Sequence, residues 1–144
     1  MKEADIPAVL VIEGLSFSNP WSEMTFRGEV QNKGISFPVV IVDEPDQKVA
    51  GYIIYWHIRD EVQINNFALH PDFRGQGIGE ATLRIILKEL NEKGAAFVTM
   101  EVRPSNTPAV SLYKKLGFQV LGIRKGYYSN PPEDAYVMGL ALGG

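Results

Sequence analysis

Few residues in this chain are placed to do chemistry. The stretch HPDFRGQGIGE (His70 to Glu80) carries glycines at 75, 77 and 79 and opens a helical pattern. Glu101 is the lone carboxylate among Thr99, Met100 and Val102, and Tyr113 sits in SLYKKLGF. A glycine-rich loop that opens a helix exposes N–H groups without intrahelical partners beside the positive end of the helix dipole, so an anion, above all phosphate, is its expected guest. A carboxylate at a strand end can take a proton, and a phenol, with an ordinary pKa of about 10, can give one. The chain has no cysteine, which removes a thiolate nucleophile, an iron–sulfur cluster and a Cys-based zinc site. His57 and His70 stand alone and are given neither a metal nor a catalytic role. No metal is expected.

Two familiar phosphate loops do not fit. A P-loop needs Lys-Ser/Thr after its last glycine, and no lysine follows Gly79. A dinucleotide fingerprint starting at Gly75 and Gly77 would place its third glycine on Glu80, and HPDFR separates the loop from the strand that ends at Leu69. Glu101 does stand about where that fold's ribose-binding acid would be. A loop with glycines for turning alone is a further reading. The pattern that fits is Arg74-x-x-Gly77-x-Gly79.

The elements that must position these residues follow from periodicity and punctuation. Asp5 is expected to cap a helix from Ile6 to about Leu15, with Pro7 in its first turn, and a second helix runs from about Ser22 to Gln31. Phe37–Asp43 and Val49–Ile58 are β-branched and aromatic runs around EPDQK and read as a hairpin, with Glu61–Leu69 the next strand. Leu83, Ile86, Leu87 and Leu90 mark a buried helix face ended by Gly94. Phe97–Val102 is a strand. Asn106 or Thr107 caps a short helix that ends at Gly117, and two last strands flank SNPPED. This order gives an α/β class, a mixed sheet with helices on both faces.

Composition sets the bounds. A chain of 144 residues with 45% hydrophobic content and no repeat is expected to be one domain, residues 1–144. At that size folding buries roughly two-thirds of the unfolded surface without staples. The net charge of −3 argues against direct nucleic-acid binding and suits a basic partner. No run reaches the roughly 18 apolar residues of a membrane span, and acids occupy the N-terminus where a signal peptide is basic and then apolar. A soluble, cytoplasmic protein without membrane contact is the expectation.

The loop signature resembles that of the GCN5-related N-acetyltransferases, and the likeness spreads along the chain. INNFALHPDFRGQGIG, MEVRPSN, AVSLYKKLGF, IRKGYY and, near the N-terminus, NPWSEMTF are similar to the RimI-type ribosomal-protein alanine N-acetyltransferases. The resemblance implies a mixed, mostly antiparallel central sheet with helices on both faces, and acetyl-CoA as co-substrate. It implies that Arg74, Gly75, Gln76, Gly77, Ile78, Gly79 and Glu80 cradle the pyrophosphate. Phe67, Ala68 and Leu69 would pair with the pantetheine arm like an added strand, the Leu69 amide meeting the thioester carbonyl, and Asn106 would contact the cofactor. Glu101 would be the base, drawing the proton through a water, and Tyr113 the acid. Trp21, Tyr127 and Tyr128 would shape the acceptor groove.

Each role has a plainer alternative from the residues alone. Glu101 could form a surface ion pair with Arg103, Tyr113 could be a core aromatic beside Val110 and Leu116, and Asn106 could be only a helix cap. Trp21 could be a packing residue, and Tyr127 and Tyr128 exposed turn aromatics.

Amide formation from a thioester needs a neutral amine, a site for the developing oxyanion and a proton for the departing thiolate. An α-amino group with pKa of about 8 is roughly one unit from neutrality at pH 7, whereas lysine is about 3.4 units away, or about 4.6 kcal/mol. N-terminal amines are the easier substrate. The implied acceptor is the N-terminal alanine of a small-subunit ribosomal protein, which is basic. A small-molecule amine acceptor and a non-catalytic acetyl-CoA-binding regulator are the alternatives. Members of this family usually begin with a short strand before the first helix, and MKEADIP leaves no room for it, so either the start is truncated or misassigned or the sheet lacks that strand. The strand Phe37–Asp43 is then expected to be an exposed edge, giving a monomer or a weak homodimer.

Overall fold

A computed structural model describes residues 1–143. Six strands form one sheet in the order β1-β2-β3-β4-β6-β5. They are β1 (Ser36–Asp43), β2 (Lys48–Ile58), β3 (Glu61–Leu69), β4 (Phe97–Val102), β5 (Gln119–Tyr128) and β6 (Glu133–Ala141). All neighbours are antiparallel except β3 and β4. Strand β1 lies at the sheet's edge, as expected from the sequence.

Helices cover both faces. Alternation along β2 sends Tyr52 and Ile54 to one face and Ile53 and Tyr55 to the other. On the first face, α1 (Ile6–Ser16) buries Ile6, Val9 and Ile12 with Phe26 of α2 (Glu23–Gln31) against Tyr52, Ile54 and Ala68. On the second, α3 (Ile78–Glu92) lays Leu83, Ile86, Leu87 and Leu90 against Val62, Ile64 and Val98. Burying those four side chains contributes roughly 6–12 kcal/mol as an upper bound. Helix α4 (Thr107–Lys115) adds Val110 and Tyr113 to the same core.

The helix ends follow the punctuation, with one correction. Ser22 Oγ accepts from Thr25 N at 3.2 Å, and Asn106 Oδ1 accepts from Ala109 N at 3.3 Å, so both cap their helices. Asp5 does not cap α1. A 3-10 turn over Glu3–Asp5 precedes that helix, and Asp5 Oδ2 instead accepts from Lys2 N at 2.7 Å. The turn places Asp5 in a right-handed helical conformation, which aims its carboxylate back along the chain rather than forward.

Candidate active site

The site originates in a mismatch of strand pairing. β3 and β4 pair from Glu61 opposite Phe97 to Ile64 opposite Met100, and no further. At that level Asn65 is an extra residue, because the partners on β2 step from Tyr55–Ile64 to Ile54–Asn66. Such a bulge bends its strand and increases the local twist. Beyond it β3 stays with β2 as far as Leu69, while β4 stays with β6 as far as Val102. A wedge therefore opens between β3 and β4. His70 N donates to Ala50 O on β2 at 2.8 Å, and antiparallel alternation turns the N–H groups of Leu69 and Phe67 the other way, into the wedge.

Two cavities, of about 740 and 660 Å³, meet at this wedge, sharing Ser16, Phe17, Phe67, Asn106 and Tyr113. The smaller is bounded by Phe67–Leu69, by the start of α4 and by the glycine loop. Gly75 and Gly77 have φ of +74° and +79°, and a Cβ on either would meet nothing within 4 Å. Backbone conformation, not crowding, calls for glycine there. Gly77 is the residue before α3, so the amides of Gly75 to Glu80 lie at or beyond the helix start, and none of them donates within the described protein. Unsatisfied donors at a helix N-terminus fit a phosphate group.

Arg74, Gly75, Gly77, Gly79 and Glu80 line this cavity, whereas Gln76 and Ile78 do not. Gln76 Nε2 donates to Asp72 O at 3.0 Å and closes the loop on itself. Arg74 donates from Nε to Leu69 O at 3.0 Å and from a terminal nitrogen to Ser16 Oγ at 2.9 Å. It thus ties the end of β3 to the end of α1. Glu80 bridges Lys115 (2.8 Å) and Arg84 (2.9 Å), and the hydrogen bonds from these cations, Lys115 first, hold its carboxyl below the usual range.

The larger cavity opens on the α1/α2 face and brings together Glu101, Tyr113, Trp21, Tyr127 and Tyr128. Val98, Met100 and Val102 point into the α3/α4 core, so Glu101 faces this cavity. Its partner is Arg124, at 2.8 Å. The ion pair with Arg103 read from the sequence does not form. Arg103 instead bonds Glu133 at 3.2 Å and lies 4.3 Å over the Tyr128 ring, because β6 carries Glu133 to that side. Tyr113 is buried against Phe118, and burial pushes its hydroxyl up to about 12. Tyr128 is also pushed up to about 12, chiefly by burial, with Tyr127 and Glu101 adding to it.

Tyr127 and Tyr128 owe their aim to an irregular stretch around Gly126 (φ +62°), where β5 and β6 lose register between Arg124 and Tyr128. Asn19 Nδ2 donates to Ser129 O at 2.6 Å, joining the α1–α2 loop to the β5–β6 turn across the cavity mouth. Trp21 has a packing role as well, its ring 5.4 Å from Phe26. Asn106 both caps α4 and lines the two cavities.

Sequence reasoning missed Glu13. This carboxyl, 1% exposed, accepts from Asn66 Nδ2 at 2.7 Å, from Trp21 N at 2.8 Å and from the Tyr52 hydroxyl. It links α1, the bulge and the α1–α2 loop, and burial first, then this hydrogen bond, pushes the Tyr52 hydroxyl far up. Glu29 was missed too. It is nine-tenths buried, lines the larger cavity and accepts from Trp56 Nε1 at 2.8 Å.

Residues 6–118 match the acetyltransferase (GNAT) family. The chain is 35% identical over 144 residues to the [ribosomal protein bS18]-alanine N-acetyltransferase of Escherichia coli K12, covering 99% of this chain and 95% of that protein. It is 41% identical over 142 residues to a Bacillus subtilis protein provisionally named for the same activity, covering 99% and 93%. The crystal structure of the ribosomal-protein-S18-alanine N-acetyltransferase from E. coli superposes with a TM-score of 0.90 at 34% identity, covering 100% of this chain and 92% of that one. Ard1 from Thermoplasma volcanium gives a TM-score of 0.88 at 26% identity, covering 100% and 95%. With its wedge between parallel strands and its amide-lined helix start, the chain belongs to the acetyltransferase (GNAT) family.

Proposed function

We propose that this protein is an acetyl-CoA-dependent N-α-acetyltransferase that passes acetyl directly to a protein N-terminal amine. Its acceptor is the N-terminal alanine of a small-subunit ribosomal protein, bS18 by likeness to the relatives so named. The observation that carries the reading is the wedge. It joins an anion-binding loop on one side of the sheet to a cavity with a carboxylate and aromatic walls on the other.

Acetyl-CoA supplies the activated acetyl group. The amides of Gly75, Gly77, Gly79 and Glu80 hold its pyrophosphate, and the edge of β3 from Phe67 to Leu69 aligns its pantetheine arm in the wedge, with Ala68 in that run. The Leu69 N–H, turned into the wedge, hydrogen-bonds the acetyl oxygen as negative charge develops there. The neutral acceptor amine bonds the acetyl carbon through its nitrogen, Glu101 takes through a water the proton that nitrogen sheds as the bond forms, and the carbon–sulfur bond breaks.

Tyr113 stays protonated at neutral pH and donates to the sulfur. A phenol at about 12 is a weaker acid than an ordinary thiol at about 8.5, a gap of about 5 kcal/mol. Full transfer beforehand is therefore disfavoured. The hydroxyl acts as the bond breaks. No metal takes part, and Trp21, Tyr127 and Tyr128 seat the acceptor backbone. The protein works in the cytoplasm as a monomer or weak homodimer, without contact to nucleic acid or membrane.

The test offers acetyl-CoA with alanine-first peptides, peptides whose only free amine is an internal lysine, and a panel of small amines, while thiol release is followed. The alanine peptides are expected to react fastest. Preference for lysine or a small amine overturns the acceptor assignment, and cofactor binding without turnover of any amine points to a regulator.

A further inference from the structure

The larger cavity extends well past Glu101, and its far end has a chemistry of its own. Trp56 on β2 pairs with Gln63 on β3, which pairs with Thr99 on β4. All three side chains lie on the α1/α2 face, since their neighbours Tyr55, Ile64 and Val98 face the opposite core. Trp56 and Gln63, with Thr25 and Glu29 of α2 above them, line this end.

Glu29 is the unusual member. Its side chain is nine-tenths buried, yet Trp56 Nε1 engages one oxygen only, and no lysine or arginine among the described residues comes within 4 Å of the carboxyl. Glu13, the other buried carboxyl on this cavity, has three donors. The one basic residue in the cavity wall, Arg103, is committed to Glu133 and the Tyr128 ring. The second carboxylate oxygen has no partner among the described residues and is not one of the buried unpaired atoms, so it opens into the cavity, where a donor arriving from outside can reach it.

We propose that Glu29, backed by Trp56 and flanked by Thr25 and Gln63, forms a specificity subsite for a cationic side chain, lysine or arginine, near the acceptor's N-terminus. This rests on the acceptor being a peptide. Two inter-strand steps and two residues along β4 separate the level of Trp56 from that of Glu101, which is about 12 Å. An extended chain advances about 3.3 Å per residue, so a long cationic side chain on the second or third residue spans that distance when the N-terminal amine lies at Glu101. The indole N–H holds the carboxyl in place, and its ring offers a face to the cation.

Two otherwise identical alanine-first peptides test this, one with arginine and the other with glutamine at the second and third positions. The wild-type protein is expected to favour the arginine peptide by roughly tenfold or more in kcat/KM, mostly through KM, as suits a charge-assisted hydrogen bond. Glu29→Gln keeps an acceptor for Trp56 and is expected to bring the ratio to within about twofold. Equal use of both peptides by the wild type, or an undiminished ratio in Glu29→Gln, overturns the subsite.

Binding gives a readout independent of turnover. Trp21 and Trp56 are the only tryptophans, and both line the cavity, so peptide dissociation constants follow from their fluorescence. Should neither peptide be acetylated while the binding preference is present and disappears in Glu29→Gln, the enzyme reading falls and the subsite stands. Acetylation of both without preference in rate or binding leaves the enzyme reading intact and removes the subsite.

Discussion

Replacing Glu13 by alanine is expected to loosen both the fold and the groove, by an amount that its hydrogen bonds set. The carboxyl holds three donors from three separate segments: Tyr52 in β2, Asn66 beside the bulge and the Trp21 amide in the α1–α2 loop. Removing it leaves all three without a partner at a site 1% exposed. Each buried, unsatisfied donor costs about 1–3 kcal/mol, and breaking a buried polar network of this kind costs about 3–5 kcal/mol altogether. For a chain of this length such a loss lowers Tm by about 10–17 °C. Glutamine separates the contributions. Its single carbonyl can still accept from Tyr52 and Asn66, but its amide nitrogen would face the Trp21 N–H, so one bond is lost and about 1–2 kcal/mol is expected. Urea and thermal unfolding, followed by tryptophan fluorescence, measure both variants. An alanine variant within 1 kcal/mol of the wild type, or a glutamine variant worse than the alanine one, refutes the reasoning.

Other expectations concern the chemistry and the loop. Tyr113→Phe keeps the packing against Phe118, so kcat is expected to fall about 10²-fold or more while Tm stays within a few degrees of wild type; equal rates would remove Tyr113 from the mechanism. Glu101→Gln gives up only an ion pair to a half-exposed Arg124, worth about 0–1 kcal/mol, so its expected loss of about 10²-fold in turnover should come with little change in unfolding. Gly77→Val forces a β-branched residue to φ +79°, costing about 1–2 kcal/mol or more and raising KM for acetyl-CoA, as calorimetry and rate measurements would show. Tyr113 and Tyr128 bind their protons more tightly folded than unfolded. Their contribution is complete below pH of about 10 and is lost as pH rises towards 12, so stability is expected to fall across that window, less steeply in Tyr113→Phe.

The elements were legible where the chain punctuates itself. β3 and β4 carry the expected bounds, β4 because Val98, Met100 and Val102 alternate along its whole length, and Gly94 and Gly117 end their helices with φ of +86° and +101°. The bulge had a signal that periodicity could have given. Val62, Ile64 and Phe67 all face the same core, spaced by two and then by three, so the alternation slips at Asn65. That slip marks the place where β3 leaves β4. Glu13 gave no such signal. A glutamate in a helix ordinarily reads as solvated, and the partners that make it internal lie 39 and 53 residues further on. Glu29 and Trp56 meet across 27 residues for the same reason. The plainer reading of Glu101, an ion pair with Arg103, does not hold because Arg103, its near neighbour in sequence, is drawn off by Glu133 from a strand paired later in the chain.

The central claim is that one amine, at the N-terminus of a ribosomal protein, receives the acetyl group. Purified bS18 carrying a free N-terminal alanine, incubated with this protein and acetyl-CoA and digested for mass spectrometry, tests it most directly. A single acetyl group on the alanine α-amine, absent when Glu101 is replaced by glutamine, is the predicted result. Acetyl groups on lysine side chains with the N-terminus left free would contradict it.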